Sequence, residues 1–246
     1  MKFSLGLCSV SFREHTAEEI IKAAKAAGLD FIEWGSDVHA PCTDEKRLRD
    51  IAALQEKYGV KCSSYGTYFR LGVTPLNELD GYVKAAKLLG TNVVRVWCGD
   101  KNCEEYTDGE RDGLFDACKR AADIAKAHGA ALCTECHNNT YTNCARGAYE
   151  LMSAVACESF RTYWQPNQYH SDDENIECAR LLSPFVVNIH VFNWRGDGKY
   201  PLCDATKLWK KYLTHFENAT LLLEFMPDGK IESLEKEAAA LKEIIR

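Results

Sequence analysis

The sequence predicts a parallel α/β fold, a (β/α)8 TIM barrel, on three observations. Eight short apolar runs, beginning near residues 3, 31, 61, 92, 131, 160, 186 and 220, alternate with eight helical patterns, one unit every 26 to 39 residues. Helix-ending glycines recur at Gly28, Gly59, Gly90 and Gly129, which reads as a structural period. The length, 246 residues, is typical of one such barrel. Strands that alternate with helices pair in parallel through right-handed crossovers. Eight units with no leftover segment favour a closed barrel over an open doubly wound sheet. The expected organisation is one barrel domain spanning residues 1–246.

Each unit has its own signals. The first strand is read from Phe3 to Cys8. The helix after it starts about Thr16, where Thr16-Ala-Glu-Glu19 has capping-box spacing, and shows Ile20, Ile21, Ala24 and Ala27 on one face. The second strand is Phe31 to Trp34, and its helix runs from about Asp44 to Tyr58. The third strand, Val60 to Tyr65, is expected to open into an aromatic loop with Tyr65, Tyr68 and Phe69. Its helix covers about Leu76 to Leu89. Strand four is Asn92 to Trp97, with a helix from about Gly109 to His128. Strand five begins at Ala131 and runs into Glu135, with a short helix from about Ala148 to Ala156. Strand six is Phe160 to Trp164, followed by Gln165-Pro-Asn-Gln168 and a helix from about Asp173 to Leu182 that stops before Pro184. Strand seven is Phe185 to Phe192, with a helix from about Ala205 to Phe216. Strand eight is Thr220 to Phe225, and the last helix is Ile231 to Ile245.

Composition narrows the function classes. An apolar share of 46% and a charged share of 27% suit a soluble globular enzyme. The net charge is −6 and no basic stripe is visible, which argues against a nucleic-acid partner and for small-molecule chemistry. Twelve cysteines include no CxxC pair, and most sit in strand or helix patterns as small apolar residues. With a strand at the N-terminus in place of a signal peptide, and no apolar run of spanning length, reduced thiols, a cytoplasmic location and no membrane association are expected.

The chain is organised around Ala131-Leu-Cys-Thr-Glu-Cys-His-Asn-Asn139, an apolar strand that runs straight into a carboxylate, an imidazole and two amides. In a barrel of this type chemistry collects at the C-terminal ends of the strands. The polar groups there are Glu33, Tyr65, Trp97, Glu135, His137, Gln165, His190 and Glu224. Glu135, Gln165, His190 and Glu224 follow apolar runs on four consecutive strands, so they can converge in the mouth. Two carboxylates in a partly dry cavity repel each other and lose hydration, at several kcal/mol if left uncompensated, so a cation is expected. Two Glu, one His and one amide oxygen suit Mn²⁺, Mg²⁺ or Zn²⁺. The plainer alternatives are Lys or Arg partners for the two Glu and a backbone-bonded core position for His190.

On these residues the chain resembles the xylose isomerase-like TIM barrels, the superfamily of sugar isomerases and keto-sugar 3-epimerases. Strand five of that family ends in a metal-binding Glu, strand six in Asp, strand seven in His and strand eight in Glu. Glu135, His190 and Glu224 match by type, strand and order. Gln165 stands where the family has Asp, and a neutral amide binds a divalent ion more weakly than a carboxylate. The resemblance implies a divalent metal held by Glu135, Gln165, His190 and Glu224. It also implies a metal-dependent isomerase or epimerase of a sugar or polyol ketone that works through an enediolate, with Glu135 and Glu224 as acid and base. His137 and Arg195 are the implied contacts to substrate hydroxyls, and Trp34, Tyr65 and Trp97, with Tyr68, Trp164 and Trp194, are candidates to stack on a sugar. Family members are often homodimers or homotetramers. The same groups would serve an inosose-type dehydratase or lyase, and Gln165 motivates a non-catalytic sugar-binding alternative. The DNA-repair endonuclease branch of the fold needs several His and Asp ligands on early strands and a basic groove, and both are missing here.

Overall fold

The computed structural model describes residues 2–246. Eight parallel strands close into a barrel: β1 (Phe3–Cys8), β2 (Phe31–Gly35), β3 (Lys61–Leu71), β4 (Val93–Cys98), β5 (Ala131–Thr134), β6 (Phe160–Trp164), β7 (Val186–Val191) and β8 (Ala219–Leu223). β8 pairs with β1, which closes the ring. Eight helices surround it: α1 (Ala17–Ala26), α2 (Glu45–Tyr58), α3 (Leu79–Leu88), α4 (Asp108–Ala127), α5 (Ala145–Val155), α6 (Asp172–Leu182), α7 (Thr206–Leu213) and α8 (Leu234–Ile244). The capping box read at Thr16 is present: its hydroxyl accepts from the Glu19 N–H, and the Glu19 carboxylate accepts from the Thr16 N–H. No described helix is long and apolar enough to cross a membrane.

Side chains alternate across each strand, so one residue of every adjacent pair faces the barrel interior and the other the helices. Leu7, Ile32, Val94, Val96, Leu132, Trp164, Ile189, Leu221 and Leu223 belong to the large core between sheet and helices. Cys8, Val10, Cys133, Tyr163 and Leu222 form the smaller group inside the ring. The same alternation turns Glu33, Arg95, Glu135, His190 and Glu224 inward. Two register shifts adjust the pattern. One lies between Ile32 and Glu33, which face Cys62 and Ser64; the other lies between Thr162 and Tyr163, which face Val186 and Asn188. The extra residue bends each bulged strand and brings Ser64 and Asn188 to the interior.

Several elements depart from expectation. β3 runs on to Leu71, because Arg70 and Leu71 still pair with Trp97 and Cys98 past a third register shift; the aromatic segment is strand rather than loop. α5 begins at Ala145, three residues ahead of the expected start, and a 3-10 turn over Leu76–Glu78 precedes α3. After β7 a short hairpin pairs Trp194–Arg195 with Gly198–Lys199.

Candidate active site

The C-terminal ends of the strands surround a cavity of about 390 Å³ whose wall includes Arg95, Trp97, Glu135, His137, Gln165 and Glu224. His190 is fully buried beside it. Its Nδ1 is 2.8 Å from Gln165 Oε1, 3.3 Å from Glu135 Oε1 and 3.5 Å from Glu224 Oε2. Its Nε2 lies 3.5 Å from Glu33 Oε1 and has no hydrogen-bond partner.

Arg95 reaches this cluster from β4. Its Nη1 sits 3.0 Å from Glu135 Oε2 and donates to Thr67 O at 3.0 Å, while Nε lies 3.7 Å from Glu33 Oε1. Trp97 Nε1 also donates to Glu135 Oε2, at 2.6 Å. One oxygen of Glu135 is therefore held by two donors while the other faces His190. Below the cluster, Ser64 Oγ donates to Glu33 Oε2 at 2.8 Å, and Asn188 Nδ2 donates to Ser64 Oγ and to Tyr163 Oη. Gly66 leaves room for the pair above it: a Cβ there would lie 2.7 Å from Glu33 Oε1 and 3.1 Å from Arg95 Nη2.

The two carboxylates nearest the cavity are driven apart in proton affinity. Burial pushes Glu135 up, but the Arg95 charge and His190 outweigh it and hold Glu135 well below the usual carboxylate range. Burial raises Glu224, and the neighbouring Glu135 charge adds to that against the opposing pull of His190. Glu33 is brought down, against burial, by its close contact with the His190 ring and by the Arg95 charge. Burial pushes the Cys8 thiol up to about 12. Phe225, directly after Glu224, has φ +52. This is the left-handed region, which is strained by about 1–3 kcal/mol for a bulky side chain. Its N–H donates to Ser11 Oγ, which ties the strained residue to the segment after β1.

Residues 21–217 match the family described as the xylose isomerase-like TIM barrel. The chain belongs to that family. A 3-dehydroshikimate dehydratase from Bacillus anthracis is 21% identical over 204 residues, which cover 78% of this chain and 72% of the relative. The solved structure of IolI with a bound zinc atom superposes with a TM-score of 0.76 at 17% identity, covering 99% of this chain and 96% of that one. A 3-keto-D-glucoside 4-epimerase from E. coli superposes with a TM-score of 0.73 at 12% identity, covering 98% and 99%.

Within this family barrel, the four residues expected to hold a metal are brought together. Gln165, Glu135 and Glu224 each place an oxygen 2.8–3.5 Å from His190 Nδ1. Ligands about 2.0–2.2 Å from a tetrahedral ion are separated by roughly 3.4 Å, so each of these oxygens lies close enough to His190 Nδ1 to share an ion with it. The orphaned Nε2–H facing Glu33 fits too, since a metal-bound imidazole gives its other N–H to a carboxylate. Among the His, Cys, Asp and Glu side chains of the described residues, the group whose donor atoms all lie within 4.8 Å of one another is Cys8, His190 and Glu224, with Glu135 outside it.

The expected substrate contacts divide. Trp97 and His137 line the cavity and stack on each other, ring centroids 5.0 Å apart. Trp97 does more than stack, because its indole orients Glu135. Trp34 and Tyr65 are corrected: both are fully buried on the helix side of the sheet. Trp34 Nε1 donates to Gln55 Oε1 and Tyr65 Oη to Ala40 O. Each directly follows an inward-facing residue, Glu33 or Ser64, so the pleat turns it outward. Trp164 is buried in the same outer layer. Arg195 is exposed on the hairpin and lines a neighbouring cavity of about 350 Å³ instead. Tyr68 and Trp194 reach the cavity wall. Arg95 was not anticipated, although a lone charge inside the run Asn92-Val-Val-Arg-Val-Trp97 is a legible signal. Glu33, known only as a strand-end carboxylate, proves to be the partner of both Arg95 and His190.

Proposed function

We propose that this chain is a divalent-metal-dependent isomerase or epimerase acting on a sugar or a related polyhydroxylated ketone. The observation that carries the proposal is that Glu135, Gln165 and Glu224, which line the cavity, each place an oxygen 2.8–3.5 Å from Nδ1 of the buried His190. The family, the zinc in IolI and the keto-glucoside epimerase support it.

Glu135, Gln165, His190 and Glu224 would hold the ion, which when bound supplies Lewis acidity toward a carbonyl and its neighbouring hydroxyl. Glu135 and Glu224 act as acid and base. One takes the proton from the carbon beside the carbonyl, and the other returns a proton to the same carbon in an epimerisation or to its neighbour in an isomerisation. A positioned group of this kind contributes roughly 10²–10⁴ in rate. Trp97 and Arg95 keep Glu135 oriented and ionised, and Glu33 orients the His190 ring. His137, stacked on Trp97, is placed to meet a substrate hydroxyl. Phe192, Trp194 and Phe225 give the cavity an apolar wall that sheds water from a seated ring.

A second reading, a dehydratase or lyase on a hydroxylated cyclic ketone, uses the same groups. It is favoured by the 3-dehydroshikimate dehydratase relative. One experiment separates the readings. The purified protein is assayed for bound metal, then incubated with ketoses and cyclic hydroxyketones in deuterated water. Solvent deuterium in a substrate or its epimer supports the first reading, and loss of water from the substrate supports the second. Finding no metal, no exchange and no loss of water across the panel sinks both and leaves a sugar binder.

A further inference from the structure

The barrel holds a second chemically distinct feature at its rim. Cys103 lies in a 3-10 turn (Cys103–Glu105) after β4, and Cys144 is the residue that precedes α5. Their sulfurs are 3.3 Å apart, although the residues are separated by 41 positions. The loops that carry them are already laced together: Cys103 N–H donates to Asn143 Oδ1 and Asn139 N–H to Asn102 Oδ1. Gly147 makes the seat for the first thiol, since a Cβ there would lie 2.8 Å from Cys103 Cβ and 3.0 Å from its Sγ. Cys103 borders an open surface cavity of about 1110 Å³, and Cys144 is partly exposed. We propose that Cys103 and Cys144 form a site of reversible oxidation, whose disulfide locks the loop after β5 to the loop after β4.

The disulfide requires the sulfurs to close from 3.3 Å to about 2.05 Å, a movement within reach of side-chain rotation. Hydrogen peroxide is the oxidant. The Cys144 thiolate attacks one peroxide oxygen; the S–O bond forms, the O–O bond breaks, and the departing hydroxide takes up the proton lost from the Cys144 thiol and leaves as water, which gives a sulfenic acid. The Cys103 sulfur then attacks the Cys144 sulfur; the S–S bond forms, the S–O bond breaks, and the hydroxyl departs as water with the Cys103 proton. Two thiols are oxidised and one peroxide is reduced to two waters. Cys144 attacks first because it is the more accessible, while burial pushes Cys103 up to about 12. Arg146 Nη2, 3.9 Å from Cys103 Sγ, favours the anionic form of the resolving sulfur. Cys98 and Cys118 sit at a similar separation, 3.6 Å, but both are sealed in the core, where peroxide does not reach them. The locked loop carries His137, Asn138 and Asn139, which line the catalytic cavity, so oxidation at the rim restrains the substrate-facing wall.

The test treats the full-length protein with hydrogen peroxide, alkylates the remaining thiols, and maps all twelve cysteines in a digest made without reductant. The expected result is a 103–144 cross-linked peptide that dithiothreitol reverses, with Cys98 and Cys118 still alkylated as thiols. The C103S variant should stop at a Cys144 sulfenic acid that dimedone traps, and C144S should leave Cys103 a thiol. Backbone hydrogen exchange over residues 137–143 should slow in the oxidised protein. Alkylation of both Cys103 and Cys144 after peroxide, or a partner elsewhere for Cys144, overturns the site. Unchanged exchange over 137–143 in the cross-linked protein overturns the lock.

Discussion

Arg95 sets the charge balance of the barrel mouth. Three buried carboxylates, Glu33, Glu135 and Glu224, share the interior with one guanidinium and one imidazole. Removing one partner of a buried pair leaves the other charge uncompensated, which costs about 3–5 kcal/mol. R95M is therefore expected to lower unfolding stability by about that much in urea titrations of the metal-free protein, with part recovered in R95M/E33Q. A loss below about 0.5 kcal/mol, the range of surface substitutions, would mean that water already screens the cluster. Trp97 acts on the same oxygen of Glu135 by hydrogen bonding. If Glu135 holds a metal, W97F should weaken divalent-ion affinity about 10–100-fold, as removal of such an outer partner does, while far-ultraviolet circular dichroism stays unchanged. Calorimetric titration with Mn²⁺ or Zn²⁺ reads the difference. Equal affinities would place Glu135 outside the coordination set.

Each site side chain depends on how its strand or helix is built. Gly66 in β3 gives Glu33 and Arg95 their room, so G66A should displace both, destabilise the fold by about 1–3 kcal/mol and depress substrate C–H exchange more than E33Q does. Comparing thermal unfolding with exchange rate tests this, and a G66A protein with native stability and rate would refute the close packing. On the outside of the barrel, α4 is anchored by a capping box between Thr107 and Glu110. Lys101 and the Thr107 backbone and hydroxyl donors hold Glu110 down to about 2. A carboxyl depressed in the folded state stabilises above its unfolded pKa of about 4.3, and that contribution is lost as pH falls toward 2. Nuclear magnetic resonance of the Glu110 carboxyl should show a midpoint near 2, and T107A should move it upward while costing about 1 kcal/mol of stability. A midpoint already near 4.3 in the unmutated protein would show that the cap is not formed in solution.

At the scale of the whole molecule, the closed ring makes separate strand ends into one site, so an ion held there ties β5, β6, β7 and β8 together. Binding to the folded state alone adds about 2.7 kcal/mol when the free ion is at a hundred times its dissociation constant. Saturation with Mn²⁺ or Zn²⁺ should therefore raise the melting temperature, a chelator should reverse it, and H190A should abolish the response. An H190A protein stabilised as much as the unmutated one would move the ion elsewhere.

The alternation of apolar runs with helical periods was sufficient, in the sequence alone, to specify eight parallel units and a closed barrel, because each pattern is local and each helix carries its own stop. The strand-end positions of Glu135, Gln165, His190 and Glu224 were legible for the same reason. Which face a residue takes was legible only in principle: Trp34 follows Glu33, and one step along a pleated strand reverses the side chain, so both cannot face the mouth. The bulges that turn Ser64 and Asn188 inward, the continuation of β3 to Leu71 and the meeting of Arg95 with Glu33 and Glu135 were decided by the tertiary structure. Those features arise from pairing between strands distant in sequence, where the geometry of the neighbouring strand, and not the composition of the strand itself, selects the register.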